Sequence, residues 1–392
     1  MRIFIEPGGY RWGNLGDTMM LDAALRKLRS FWPDASITVH CLDPERLRLL
    51  DPAATALDPS GAQRWSRIPS LLRAGARLSP SRRLRLVAAY RDAVQSADLV
   101  LASGAGGLAD PFREQALLVL QTMQLAIDAG AVTALMGQGI GPISEPALRT
   151  RAAEVLPRVD FIALRERLTG PSLLHSLGVA TDRIAVTGDD TIPLAYEARP
   201  PALGTSLGIN IRVAPYSGLD DRALLGIGRV VSEAAASYGT TLMPVPISRY
   251  SHEDDVETVR RMLGSSDGVD VTTPAELLRV VARCRVVVTG SYHAGVLALA
   301  MGIPVVAVAG SAYYADKFHG LASQFVACRV VLTSDRDFRA RLSGAIDDAW
   351  ESADMPRASL LDLAERQIAE IDRAYRHVFD LVEARDPLRK RL

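Results

Sequence analysis

Residues 286–318 constrain the fold more than any other stretch of the chain. They read VVVTGSYHAGVLALAMGIPVVAVAGSAYYADKF. The β-branched run 286–288 is too short for a helix and is closed by Thr289 and Gly290, which marks it as a strand. Ser291 suits a helix N-cap, residues 292–301 are small or straight-chain apolar, and Gly302 suits a left-handed cap. Residues 305–308 form a second buried strand. Strand, tight turn, helix, strand is one βαβ unit, whose crossover is right-handed. The polar residues Thr289, Ser291, Tyr292 and His293 gather where the first strand ends and the helix begins. That edge of an open α/β sheet binds ligands, and a helix N-terminus there favours an anion. Ser311, Tyr313, Tyr314 and Lys317 follow the next strand and belong to the same edge.

The rest of the chain repeats this pattern. Short apolar strands at residues 2–5, 36–41, 97–103, 132–136, 161–164 and 184–187 alternate with helical spacing. Their carboxyl ends carry small or polar residues: the loop 7–17 with Asn14, Gly16 and Asp17; Gly104–Gly107; 137–142 with Gln138; Arg165; and Gly188-Asp189-Asp190. Residues 198–206, ARPPALGTS, read as a linker. The alternation then restarts with strands at 206–212, 240–245, 269–272 and 330–332, the first ending in Asn210 and Arg212. Asp43 and Thr273 stand as helix caps, and 67–94 is a basic amphipathic stretch, most simply a solvated face. The expected organisation is α/β: two doubly wound Rossmann-like domains, 1–200 and 205–350, with a long helix in 355–392 packing back across them. Two such domains with their strand ends facing across a cleft make a glycosyltransferase-B-like architecture; periplasmic-type binding proteins and other two-domain α/β enzymes share the same alternation.

Composition removes several classes of function. With 45 basic and 45 acidic residues there is no net charge to draw the chain to nucleic acid or an anionic membrane. Cys41, Cys284 and Cys328 are scattered, so neither a disulfide framework nor a zinc site is expected. His252 with Asp254 and Asp255 could hold a metal, but a carboxylate pair there more simply caps a helix; no metal and no cofactor are expected. No run approaches the ~20 apolar residues of a membrane span, and the N-terminus lacks a signal-peptide core, so a cytoplasmic protein is expected.

The collinear set Gly13-Asn14-Leu15-Gly16-Asp17, Gly104–Gly107, GQGIGP at 137–142, Ala163-Leu164-Arg165-Glu166, Gly188-Asp189-Asp190, GINIR at 208–212 and the run 291–321 resembles the polysaccharide pyruvyltransferase family. The resemblance covers the chain to about residue 330. It implies a glycosyltransferase-B-like fold and transfer of an enolpyruvyl unit from phosphoenolpyruvate, as co-substrate, to two hydroxyls of a sugar. The partners are then a small-molecule donor and a sugar-containing acceptor; a homo-oligomer is left open. At the turn where the family carries Arg-x-His this chain has Ser291-Tyr292-His293.

On this reading His293 is the general acid for the donor's methylene carbon, or a phosphate ligand; as plain scaffold it would fill a packed corner. Asp17 is either the base for an acceptor hydroxyl or the N-cap of the following helix. Arg212, Ser291, Tyr292, Tyr314 and Lys317 are assigned to the donor anion, with Arg212 and Lys317 supplying the charge absent at Ser291. Asn14, Gly16, Gly106, Gln138 and Arg165 are assigned to the acceptor, with the tying of loops as the plain alternative for Asn14 and Gln138. Two other readings stand beside this one: a glycosyltransferase using a nucleotide sugar, and a non-catalytic binding protein of the same fold.

Overall fold

The computed structural model describes residues 1–66, 82–264 and 271–385. The chain builds two sheets in which every paired strand is parallel. β1 (Arg2–Glu6), β2 (Ser36–His40), β3 (Thr55–Leu57), β4 (Leu99–Ala102), β5 (Val132–Gln138), β6 (Phe161–Leu164) and β7 (Ile184–Val186) lie in the order β3-β2-β1-β4-β5-β6-β7. β8 (Ser206–Asn210), β9 (Leu242–Pro244), β10 (Cys284–Thr289), β11 (Val305–Ala309) and β12 (Cys328–Leu332) lie in the order β12-β11-β10-β8-β9. Each order reverses direction once, between β1 and β4 in the first sheet and between β8 and β10 in the second. A crevice opens at such switch points, outside the carboxyl ends of the strands.

β10 and β11 read as continuous apolar runs because helices cover both faces of their sheet. The helix Tyr292–Ala300 has all nine residues buried. It lies between its own sheet and the helices Ile192–Glu197 and Arg357–Arg385, which explains an apolar sequence with no polar stripe. One continuous core runs from Ile3 and Leu25 through Leu297 and Val305 to Tyr375, so the two sheets share a packed interior. At the cleft edge, Leu15 N–H donates to Ile247 O at 2.9 Å and Arg249 N–H to Gly13 O at 2.6 Å, joining the two sheets' loops.

Asp43 and Thr273 cap helices as expected, Thr273 within a full capping box with Glu276, and Gly302 is left-handed at φ 76°. Ser291 occupies the N-cap position of Tyr292–Ala300, but its side chain makes no capping bond. Thr289 replaces it: its Oγ1 accepts from Ser291 N–H at 2.8 Å and donates to Ser291 O at 3.0 Å. The helices Ser60–Ser66, Ile192–Glu197 and Ala312–Ala322 and the edge strand β3 were not expected from sequence. Of the expected strand 269–272, residues 271 and 272 belong to no strand and the others lie outside the described residues, as do 67–81 of the basic stretch. Among the described residues, no helix is long and apolar enough to cross a membrane.

The helix Arg357–Arg385 is tied to the first sheet by a buried contact: the Tyr375 hydroxyl donates to Asp190 Oδ2 at 2.9 Å, while Asp190 Oδ1 has no partner. Burial pushes the Asp190 carboxyl up to about 7. The folded state therefore holds a proton that the unfolded chain gives up near pH 4, and stability from this group is lost as pH rises through that window to about 7. About three pH units correspond to roughly 4 kcal/mol at most. Asp190→Asn, neutral throughout, is expected to melt higher than the parent at pH 8, with the gain shrinking towards pH 5; a gain independent of pH would assign it to packing.

Candidate active site

A cleft of about 890 Å³ opens between the two sheets, walled by loops that follow strand carboxyl ends. From the first sheet come Asn14 and Asp17, Gly106, and Arg165; from the second come Arg212, Glu253, Ser291–His293 and the face Tyr313–Lys317. His293 stands at the centre. It enters from the β10 turn and inserts between two elements of the other domain. On one side a Cβ at Gly16 would overlap the imidazole ring, so only glycine fits at the start of the helix Leu15–Phe31. On the other side His293 Nε2 lies 3.6 Å from Asp189 Oδ2, just beyond hydrogen-bond distance, and has no other partner.

Asp189 is held by Thr191, whose N–H and Oγ1 donate to Oδ1 at 3.0 and 2.6 Å. Its Oδ2 also accepts from Arg165 Nη1 at 3.4 Å. The Arg165 guanidinium lies over the Tyr292 ring at 4.1 Å, a cation–π contact that fixes its plane. The Tyr292 hydroxyl is buried and has no partner. Arg165 approaches Lys317, which comes from the other domain, above Gly106. A Cβ there would meet Lys317 Nζ at 2.5 Å and Arg165 Nη2 at 2.8 Å. Lys317 donates to the Tyr313 hydroxyl, which donates to Gly106 O at 3.2 Å. Tyr314 stacks on Tyr216 at 6.1 Å and completes an aromatic wall with Tyr313.

The charges are arranged unevenly. Arg212 gives Nε and Nη2 to Asp255 at 2.7 and 2.9 Å, and its Nη1 lies 3.8 Å from Glu253. Its fork is filled by carboxylate, which corrects the expectation that it stands free to clamp an anion. Arg165 has one paired nitrogen, and Lys317 has no carboxylate within ion-pair distance among the described residues. Burial and the nearby Arg165 hold the Lys317 ammonium well below the usual lysine range. Burial presses His293 down to about 4, with Asp189 pulling upward and Arg165, Lys317 and Arg212 pushing further down. Burial raises Asp17 to about 6, against the pull of Arg165, Arg212 and Lys317. The site is thus a cation-rich pocket around a neutral imidazole and a basic carboxylate.

Asp17 does not cap its helix: Asn14 does, its Oδ1 accepting from Gly16 N–H at 3.0 Å and Asp17 N–H at 3.3 Å. That frees the Asp17 carboxylate for the cleft. Of its two readings, acceptor binding or loop tie, Gln138 takes the second. It is buried, its amide donates to Ser103 O at 2.8 Å, and it ties the β4 and β5 loops together. Asp254 caps the helix Asp255–Leu263, and no group of His, Cys, Asp and Glu among the described residues is arranged to hold a metal. Sequence reasoning did not assign Asp189 or Glu253 to the site; the Gly188-Asp189-Asp190 motif at a strand's end was the available sign of the first.

Two Rossmann-like units with facing switch points, and a cleft between them lined from both, define the glycosyltransferase-B type of architecture. The chain belongs to the polysaccharide pyruvyl transferase family, whose model matches residues 14–311, and is a transferase. No curated protein sequence matches it. Among solved structures it is similar to UDP-GlcNAc 2-epimerase from Neisseria meningitidis bound to UDP-GlcNAc, at 11% identity and a TM-score of 0.57, covering 98% of this chain and 100% of that one. It is also similar to a glycosyltransferase from Rickettsia africae, at 9% identity and TM-score 0.56, covering 97% and 98%. Alr3699/HepE from Anabaena, in complex with UDP, matches at 11% identity and TM-score 0.54 over 98% and 99%. At these identities the likeness speaks for the fold.

Proposed function

We propose that the chain transfers an enolpyruvyl unit from phosphoenolpyruvate to two hydroxyls of a sugar, closing a pyruvate ketal and releasing phosphate. The observation that carries this reading is the pair Arg165 and Lys317. They come from opposite domains, converge on the Gly106 backbone beside His293, and are only partly neutralised. A small trianion fits such a spot, with Arg165 presenting a planar fork and Lys317 an amine whose protonation, opposed by burial and by Arg165, is favoured by the arriving anion.

The proton inventory follows from the site. Before the donor binds, His293, near 4, is neutral at pH 7. A donor phosphate beside it favours the imidazolium, so the acid is charged by donor binding. His293 gives its proton to the methylene carbon, and positive charge develops at the carbon bearing the phosphate. A sugar hydroxyl adds there, and Asp17 takes its proton. The C–O bond to phosphate breaks, phosphate leaving with the electron pair. The second hydroxyl then closes the ketal and returns a proton to His293, while the Asp17 proton leaves with the phosphate. Asp17, near 6, is ionised at neutral pH and basic enough for its part.

A nucleotide-sugar glycosyl transfer has one observation in its favour: with serine at 291, the start of the helix Tyr292–Ala300 carries no arginine of its own. The readings separate in one experiment. Phosphate release that requires both phosphoenolpyruvate and a glycoside is expected, together with a higher melting temperature in phosphoenolpyruvate. No release with any glycoside, and stabilisation by UDP alone, would overturn the pyruvyl reading.

A further inference from the structure

We infer that Asp189 is the positioning residue for His293, acting from the opposite domain and setting which ring nitrogen carries the proton. The geometry is specific. Thr191 delivers two donors to Oδ1, which leaves Oδ2 to face His293 Nε2 at 3.6 Å and Arg165 Nη1 at 3.4 Å. Asp189 is 1% exposed, so its carboxylate has no solvent alternative. Facing Oδ2, Nε2 carries the hydrogen, and Nδ1 lies against Gly16.

The charged groups that act on the ring come from several elements. Asp17 follows Gly16 on the helix Leu15–Phe31. Arg165 ends β6, Arg212 follows β8, and Lys317 projects from Ala312–Ala322. The three cations disfavour an imidazolium, and Asp189 favours it. Because Gly16 and Asp189 belong to one domain and His293 to the other, the aligned acid exists only when the domains are together. Asp189 also holds Arg165, so one carboxylate registers the acid against the anion site.

The consequence for turnover rests on the proposed reaction; the tautomer does not. In the parent protein, ¹⁵N NMR of labelled histidine, with His293 assigned by loss of its signals on substitution, is expected to show the Nε2–H tautomer near pH 7. Asp189→Asn keeps the oxygen that Thr191 anchors and turns an amide NH₂ towards His293 and Arg165. The imidazole must then accept at Nε2, so the tautomer inverts to Nδ1–H. Phosphate release is expected to fall about 10²–10⁴-fold, the scale set by a misoriented acid–base group. An Nδ1–H tautomer in the parent, or an unchanged tautomer in a folded Asp189→Asn protein, overturns the inference. The parent measurement decides even if the variant does not fold. If the parent releases no phosphate from phosphoenolpyruvate with any acceptor, the proposed reaction fails and the NMR result still decides the role of Asp189.

Discussion

His293→Gln is expected to lower phosphate release from phosphoenolpyruvate by about 10²–10⁴-fold, the usual contribution of a positioned general acid. Glutamine keeps an N–H donor within the same corner but cannot deliver a proton to carbon. If His293 acts as the acid, the loss falls in kcat and the donor KM changes little. If it is instead a phosphate ligand, the donor KM rises and kcat is spared. The pH profile carries a second signature. Asp17, raised to about 6, must be ionised to accept a proton, while His293, pressed to about 4 before the donor binds, must gain one, so kcat/KM is expected to fall about tenfold per pH unit above 6 and to level off between 6 and 4. A kcat/KM that keeps rising from pH 6 to pH 5 would count against Asp17 as the base.

The parts of this site that sequence made visible are those that local chemistry dictates. Strand ends marked by Gly-rich or polar turns placed Asn14, Asp17, Gly106, Arg165, Arg212 and His293 at one edge, and the cleft gathers them all. What sequence could not supply is partnership between distant residues. Arg212 and Asp255 lie 43 positions apart, and Arg165 and Asp189 lie 24 apart. Only the register of β8 against β9, or of β6 against β7, brings them together. An arginine at a strand end therefore reads the same from sequence whether its fork is empty or filled. Smaller misreadings were local competitions. Thr289 and Ser291 both suit the turn, and Thr289 takes the bonds. Asn14 precedes Asp17 and captures its N–H. Ala312–Ala322 mixes Tyr, Lys and Asp on one turn because one face lines the cleft, which blurs its apolar stripe.

Arg212 gives the other large expected effect, and it concerns stability. Arg212 is 4% exposed and Asp255 is fully buried. Asp255 also accepts from Asn210 Nδ2 and from the N–H groups of Ile247 and Ser248, each at 2.8 Å. Arg212 thus belongs to a knot that pins the loop after β9 against β8. Arg212→Met removes one half of a buried ion pair and strands the other, which typically costs about 3–5 kcal/mol. In a domain of this size that corresponds to a fall in Tm of roughly 6–20 °C. Arg212→Met combined with Asp255→Asn removes both charges and is expected to recover part of the loss, the non-additivity that coupled partners show. A free anion clamp behaves in the opposite way: its loss raises the donor KM and leaves Tm unchanged or higher, because an unpaired buried cation is removed. Measuring Tm and donor KM on the same variants therefore decides between the two roles. Given the filled fork of Arg212, a large Tm loss with a modest KM change is the expected result, leaving Arg165 and Lys317 as the cations available to the donor.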